Sequence, residues 1–280
     1  MKFKENFNKI NSSLAYLSLI SLLVSAISGI IVSYHYFWPY PLLSIISMEA
    51  KVPFGKFFRN LHYWSSQCAL IFTSLHLLDS LYKKSFFYKG FWNWNFLVFS
   101  WVATLFATFT GYVLRADETG ELAGAIAENL LKSVPIVGTL LNTLFFSVSQ
   151  IGLYRVFLAH LLVSFILILG LFIFHFSWKR VWRIENLLWI FPSLFLSLFI
   201  YRPLNPYQGF KAKGPWFFLG AQELLKFFHP FWVFFFLLFP IFILLAFPLA
   251  PSKFLELNLV LFIWLILYFL LSLSLVLDLF

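Results

Sequence analysis

Long apolar stretches without a charged residue constrain this chain more than any other feature of its sequence. The first runs from Leu14 to Tyr36, and comparable stretches recur along all 280 residues. An apolar helix of about 20 residues is what crosses a lipid bilayer. A soluble domain could not bury a composition that is 61% hydrophobic and only 11% charged. The chain is therefore predicted to be an all-α, polytopic membrane helical bundle.

Seven transmembrane helices are predicted from these stretches. Their approximate bounds are Leu14–Tyr36, Phe57–Tyr82, Phe91–Leu114, Tyr154–Trp178, Asn186–Tyr201, Phe231–Ala250 and Leu255–Phe280. The segment Arg115–Leu153 is too polar at first and then too briefly apolar to cross, so we expect amphipathic helices at the membrane surface. The basic N-terminus leads into the first apolar stretch without a small-residue cleavage pattern, which favours a span over a cleaved signal peptide.

The charge distribution is typical of membrane loops. The net charge is +9, but the Lys and Arg residues form short clusters between apolar runs, which argues against a nucleic-acid partner. Ten of the twenty basic residues fall on each side of the membrane. The loops on the N-terminal side are shorter and denser in charge, so the N-terminus is predicted to be cytoplasmic. A single cysteine, Cys68, excludes a disulfide framework and a Cys-based metal cluster.

Four of the six histidines fall inside predicted spans, where polar side chains are costly and usually functional. His62 and His76 are 14 residues apart on the second span, and His160 and His175 are 15 apart on the fourth. Each spacing returns the second imidazole to within about 60° of the first, about 21 Å further along the helix. Two such helices, facing each other, would form two stacked His–His sites for haem iron. The alternative is that each imidazole is neutral and bonded to a nearby carbonyl.

Four motifs accompany these histidines: RNLHYWSSQCALIFTSLH (Arg59–His76), GYVLRADE (Gly111–Glu118), SVPIVG (Ser133–Gly138) and LYRVFLAH (Leu153–His160). Together they resemble cytochrome b of the quinol-oxidising bc-type complexes. The chain looks like a bacterial form in which the four-span chloroplast cytochrome b is fused to the three-span subunit IV. The resemblance implies a diheme four-helix core in residues 1–180 and a three-helix quinol-site region in residues 181–280.

The resemblance also implies two b-type haems, each with two axial histidines. His62 with His160 would bind the low-potential haem near the outer face. His76 with His175 would bind the high-potential haem near the inner face.

Other residues match positions that contact haem in the family. Arg59 and Arg155 would neutralise haem propionates, with snorkelling to the interface as the alternative. Gly29 and Gly111 would let the backbone approach the outer haem closely. Leu97 stands where the family has a small residue, so we expect altered packing at the inner haem.

The outer quinol pocket of the family carries a Pro-Glu-Trp-Tyr motif. The matching residues here look like Gly214-Pro215-Trp216-Phe217, so the usual glutamate is absent. Pro215, Trp216 and Phe217 would line the quinone site. Glu223 is the nearest carboxylate and would accept a quinol proton. The alternative is a surface charge at a helix end.

The implied function is the transmembrane core of a quinol:cytochrome c (or other acceptor) oxidoreductase in a bacterial inner membrane. Implied partners are a Rieske iron–sulfur protein, a c-type cytochrome and a second copy of the chain in a homodimer. One alternative is a diheme anchor that links the quinone pool to another redox partner without bifurcation. A second is a haem-free transporter or assembly scaffold.

Overall fold

All regular structure in the described part of the chain is helical. The computed structural model describes residues 2–147, 150–175, 188–204 and 212–277. Within these ranges, side chains are described except at residues 2–12, 89, 145, 150, 174 and 175.

Twelve α-helices occur in the described ranges. In chain order they are α1 (Lys2–His35), α2 (Pro41–Lys51), α3 (Gly55–Tyr82), α4 (Ser85–Lys89), α5 (Phe91–Leu114), α6 (Glu118–Lys132), α7 (Gly138–Phe145), α8 (Gln150–Gly170), α9 (Phe191–Phe199), α10 (Leu219–Leu224), α11 (Pro230–Ala246) and α12 (Phe254–Leu277). A five-residue π-helical turn, Leu171–His175, continues α8. Short 3₁₀ turns precede α9, α10 and α12.

A helix lies at each of the seven predicted spans, which confirms the all-α membrane bundle. Among the described residues, four helical segments are long and apolar enough to cross a membrane by length and composition: Ser13–His35, Phe91–Leu114, Ile151–Ile173 and Pro251–Leu277. Two shorter apolar segments are Leu188–Phe199 and Pro230–Ala246. Helix α3 has 28 residues but is more polar, because it buries Arg59, Asn60 and Gln67. The predicted fourth span extends to Trp178, and the last three residues of this span lie outside the described ranges.

The segment predicted to form surface helices contains α6 and α7. Helix α6 begins at an N-cap, Asp117, whose side chain accepts a hydrogen bond from the Gly120 amide at 3.1 Å. This bond satisfies one of the amides that a helix start leaves unpaired. The helical prediction is therefore confirmed for this segment, and its place at the membrane surface stays a prediction.

One compact unit comprises Met1–Tyr88, Phe99–Thr108 and His160–Leu204. In it, α1 and α9 both pack against α3. Small polar side chains line these contacts: Ser21 and Ser65 are fully buried. Small residues let helix backbones approach closely in a membrane. Close packing matters there because lipid is as apolar as the side chains, so the hydrophobic effect does not drive helices together.

A second compact unit comprises Lys89–Val98, Phe109–Ala159 and Asn205–Phe280. In it, α10 packs on α12, and α6 packs on α11. The buried core of this contact consists of Leu130, Phe218, Ala221, Leu224 and Val233. The predicted division assigns haem binding to residues 1–180 and the quinol site to residues 181–280. This division of roles stays a prediction.

Candidate functional site

The structure brings His62 on α3 and His160 on α8 together within the first unit. Their ring centroids are 6.3 Å apart, and the rings are inclined at 80°. A metal–imidazole bond of about 2 Å on each side, added to the radii of the two rings, gives a separation of roughly 6 Å. The two imidazoles are therefore spaced to ligate one metal ion between them.

Backbone groups orient both rings of this pair. The His62 Nδ1 lies 2.8 Å from the Ser25 carbonyl oxygen on α1. His160 forms a hydrogen bond with the Ala107 backbone on α5. A hydrogen bond at one imidazole nitrogen fixes the tautomer and aims the other nitrogen, which is how ligating histidines are usually held. For His62 this bond involves Nδ1, so Nε2 would be the ligating nitrogen.

Gly29 provides the space beside His62. A Cβ atom at this position would lie 2.9 Å from the His62 Cε1 and 3.1 Å from its Nδ1. Contacts below 3.0 Å require something to move, so even alanine would press on the ring. The missing side chain therefore lets α1 approach the His62 ring. The predicted contact of Gly29 with the outer haem stays a prediction.

The second histidine pair is described only in part. His76 is buried on α3, 7% exposed. His175 ends the π-helical turn after α8, and its side chain lies outside the description. The pairing of His76 with His175 therefore stays a prediction. Leu97 is partly buried in α5, and its contact with an inner haem also stays a prediction.

The two arginines already have protein partners. Arg59 is 5% exposed, pairs with the Glu49 carboxylate on α2 and donates to the Arg202 carbonyl oxygen. Arg155 donates to the Thr143 carbonyl oxygen. Burial of Arg59 argues against the snorkelling alternative for that residue. Contact of either guanidinium with a haem propionate stays a prediction.

The segment matched to the quinol motif lies in the second unit. Pro215 is fully buried, whereas Trp216 is 49% exposed. The Phe217 ring meets Tyr112 edge-on, with centroids 5.9 Å apart. Tyr112 follows Gly111 in α5, so the two motifs GYVL and GPWF come together. This contact forms part of an aromatic wall.

Two polar side chains hold the backbone of this segment. The Tyr268 hydroxyl on α12 donates to the Phe217 carbonyl oxygen at 2.8 Å. The Gly214 amide donates to the Gln222 side-chain oxygen at 2.9 Å, and the Gln222 amide donates to the Ala212 carbonyl at 3.2 Å. The motif is therefore fixed by the helices on either side of it.

Glu223 has no exposed surface. The Ser274 hydroxyl donates to one of its oxygens at 3.1 Å, and the Lys226 ammonium lies 2.8 Å from the other. A buried carboxylate is tolerated when it is paired and hydrogen-bonded. The alternative of a solvated surface charge is therefore wrong.

Sequence reasoning missed the residues that support the ligands. Ser25 is 37 residues from His62 and Ser274 is 51 residues from Glu223, so only the fold pairs them. Glu49 is ten residues from Arg59 but lies on a different helix. One signal was present: Ser18, Ser21, Ser25 and Ser28 recur every three or four residues on α1. This spacing places small polar residues on one helix face, which indicates close helix packing.

Comparison with known proteins gives a family match. The family model described as cytochrome b/b6/petB matches residues 5–181. Proteins named cytochrome b6 from Heliobacterium mobile and Heliobacterium modesticaldum are 27% and 26% identical over 176 residues, or 61% of this chain and 82% of each relative. The same protein from Heliomicrobium gestii is 27% identical.

A solved structure of a hyperthermophilic respiratory Complex III has a similar fold. The TM-score is 0.71 at 16% identity, covering 94% of this chain and 84% of that one. The fold similarity thus extends beyond residue 181, where the family match ends. Since that match spans more than half of the sequence, the chain belongs to the cytochrome b/b6/petB family, whose members are haem b-binding, electron-transporting membrane proteins.

Proposed function

We propose that this chain is the transmembrane diheme cytochrome b subunit of a quinol:cytochrome c, or other acceptor, oxidoreductase. The observation that carries the proposal is the His62/His160 pair, whose rings are spaced for one metal and held by backbone hydrogen bonds. Relatives named cytochrome b6 and the fold shared with a respiratory Complex III chain support it.

Four histidines would hold two haems b, His62 with His160 and His76 with His175. Bound haem b supplies one-electron transfer, and two axial imidazoles suit this role rather than oxygen binding. The chain contributes the orientation of the ligands and the space beside them. Arg59 and Arg155 would bind propionate groups. Orientation and electrostatics are what a protein adds to a cofactor that carries the chemistry.

Quinol would be oxidised beside the segment that contains Pro215, Trp216 and Phe217. The apolar wall of Phe217 and Tyr112 would position the ring and exclude water. Glu223 would accept a proton from a quinol hydroxyl, because it is a buried carboxylate close to this segment in sequence, with Ser274 and Lys226 beside its two oxygens. Lys226 is 38% exposed at its side chain, so it would link this buried base to solvent.

The test begins with the absorption spectrum of the complex purified from its native membrane. We expect the Soret and α bands of six-coordinate b-type haem, two redox transitions, and reduction by added quinol. A preparation with no Soret band would contradict the proposal and favour a haem-free transporter or scaffold. Haem reduction without quinol-driven reduction of a c-type cytochrome would favour the diheme anchor.

Partners can be identified in the same preparation. We expect a Rieske iron–sulfur protein and a c-type cytochrome to copurify, and the complex to have the mass of a homodimer. The proposed location is the bacterial inner membrane, with the N-terminus in the cytoplasm. Labelling of a cysteine introduced near the N-terminus, in intact cells and in inverted vesicles, tests this orientation.

A further inference from the structure

The Arg59 guanidinium forms an ion pair with the Glu49 carboxylate. Arg59 lies three residues before His62 on α3, so the two side chains are one helical turn apart. The Arg59 Nε binds Glu49 Oε1, and the exposed fractions of the two side chains are only 6% and 15%. A positive charge beside the candidate ligand is thus neutralised by a carboxylate from α2.

Glu49 is held at both oxygens. The Tyr201 hydroxyl donates to Glu49 Oε2 at 3.1 Å, from two residues beyond the end of α9. The Lys56 ammonium lies 4.0 Å from the Tyr201 ring centroid and the Arg59 guanidinium 5.4 Å from it. The carboxylate is therefore fixed in place.

Arg59 retains donors for a second anion. Its Nε donates to Glu49, its Nη2 donates to the Arg202 carbonyl oxygen, and the guanidinium also bonds the Tyr201 hydroxyl. A guanidinium has five N–H donors, so three bonds leave two of them for another acceptor. A haem propionate could therefore bind Arg59 without displacing Glu49. In that case Glu49 and the propionate would both bind the Arg59 guanidinium, and the net charge of this group of three would depend on both carboxylates.

We propose that Glu49 is a positioning residue that neutralises Arg59 and thereby lowers the reduction potential of the haem held by His62 and His160. The inference rests on the proposed haem site. Oxidised haem carries one more positive charge than reduced haem, so an uncompensated guanidinium nearby would favour reduction. The effect is strong where water is scarce, because charges are poorly screened there.

The test is redox titration of the two haems in the purified complex. Glu49→Gln should raise the midpoint potential of the outer haem on the order of tenfold in the ratio of reduced to oxidised form, which is about 59 mV for one electron. The inner haem should not move. Glu49→Asp, which keeps the charge, should remain near the wild-type value. Glu256→Gln removes an exposed carboxylate at the start of α12 and serves as the matched control.

A double variant separates charge from structure. Glu49→Gln combined with Arg59→Gln has the wild-type net charge, so its outer-haem potential should return towards the wild-type value. An unchanged potential in Glu49→Gln, an equal shift of both haems, or a double variant as shifted as the single one would overturn the inference. The haem-to-protein ratio is measured alongside. If His62→Ala retains both haems, the proposed haem site itself fails, whatever Glu49 does.

Discussion

Among single residues, the buried carboxylate of Glu223 gives the clearest prediction about function. Glu223 has no contact with solvent, yet the ammonium of Lys226, 2.8 Å away, belongs to a side chain that is 38% exposed. Lysine reaches solvent with its charged end while its stem packs on apolar surface. In the role proposed for Glu223, Lys226 would be the polar group between the buried carboxylate and solvent.

We predict that Glu223→Gln slows quinol oxidation by roughly 10²-fold or more, the range typical of a lost general base, while both haems remain bound. Glutamine keeps the shape and the hydrogen bond from Ser274 but cannot accept the proton. The measurement is the rate of outer-haem reduction by quinol with the inner quinone site inhibited. The control is Glu256→Gln, at an exposed carboxylate. A near-normal rate would mean that the proton leaves by another route, or that quinol is oxidised elsewhere.

Gly29 gives a second prediction at this scale. Valine at this position would place methyl groups where the His62 ring stands, since even a Cβ would be 2.9 Å from Cε1. We expect Gly29→Val to lose the haem held by His62 while the other haem remains, with Gly29→Ala affected less. Haem content per protein, measured as the pyridine haemochromogen, checks this. Ile27→Ala, at a 65% exposed side chain on the same helix, controls for altered volume. Full haem content in Gly29→Val would show that α1 can move away.

Helices were the part of the fold that local sequence could predict. Apolar runs specify a span by themselves, so α1, α5 and α12 appear where expected. Helix α3 was also predicted, although its buried Asn60 and Gln67 make it more polar than a lipid-facing span. The contacts of Asn60 could not be predicted, because its partners are more than a hundred residues away in the chain.

Asn60 shows what such a partner does for an element. Its Nδ2 donates to the carbonyl oxygens of Ser197 at 2.6 Å and Ile200 at 2.9 Å, and its Oδ1 accepts from the Arg202 amide at 3.1 Å. The Trp64 indole also donates to the Ile200 carbonyl, at 2.6 Å. These bonds satisfy carbonyl groups that the end of α9 leaves unpaired. Helix α9 has nine residues, too few to be stable in isolation, so the bonds from α3 stabilise its end.

We therefore predict that Asn60→Leu destabilises the protein. The Ser197 carbonyl and the Arg202 amide would lose their partner, at about 1–3 kcal/mol for each buried unsatisfied group. Thermal unfolding in detergent, followed by circular dichroism and by haem release, should show a lower midpoint. Asn129→Leu replaces an exposed amide on α6 and should have little effect. Equal midpoints for Asn60→Leu and wild type would mean that water or backbone shifts satisfy these groups.

For the whole molecule, the sequence motifs predicted the family and the candidate ligands, and the family match confirms the first. The make-up of the two compact units was not predictable in the same way. Each is assembled from three separated stretches of chain, and α5 contributes residues to both. Periodicity and motif spacing report on neighbours along one helix. They carry no information on which distant stretches pack together. The contacts of residues such as Glu49 and Ser274 are therefore seen only in the folded structure.

For the whole molecule, the positions of the histidines predict how many haems it binds and how these are arranged. His62 and His160 are close enough to share one metal, with ring centroids 6.3 Å apart. His76 lies 14 residues further along the continuous helix α3, about 21 Å from His62 at a rise of about 1.5 Å per residue. It cannot serve the same metal, so its ligand role requires a second site. His175 lies 15 residues after His160 on the predicted fourth span, so it is the expected partner of His76.

We predict that His62→Ala and His160→Ala abolish the same redox transition, and that His76→Ala and His175→Ala abolish the other. Each variant would remove one of the two histidines proposed to hold one haem, and the paired variant would remove the other histidine of the same haem. Potentiometric titration of the α bands in the four purified variants measures this, with haem content as a second readout. His35→Ala, at the end of α1, is the control and should retain both transitions. Loss of the same transition in His62→Ala and His175→Ala would contradict the pairing and require α3 and α8 to present their histidines in the opposite order, which the 6.3 Å separation of His62 and His160 disfavours.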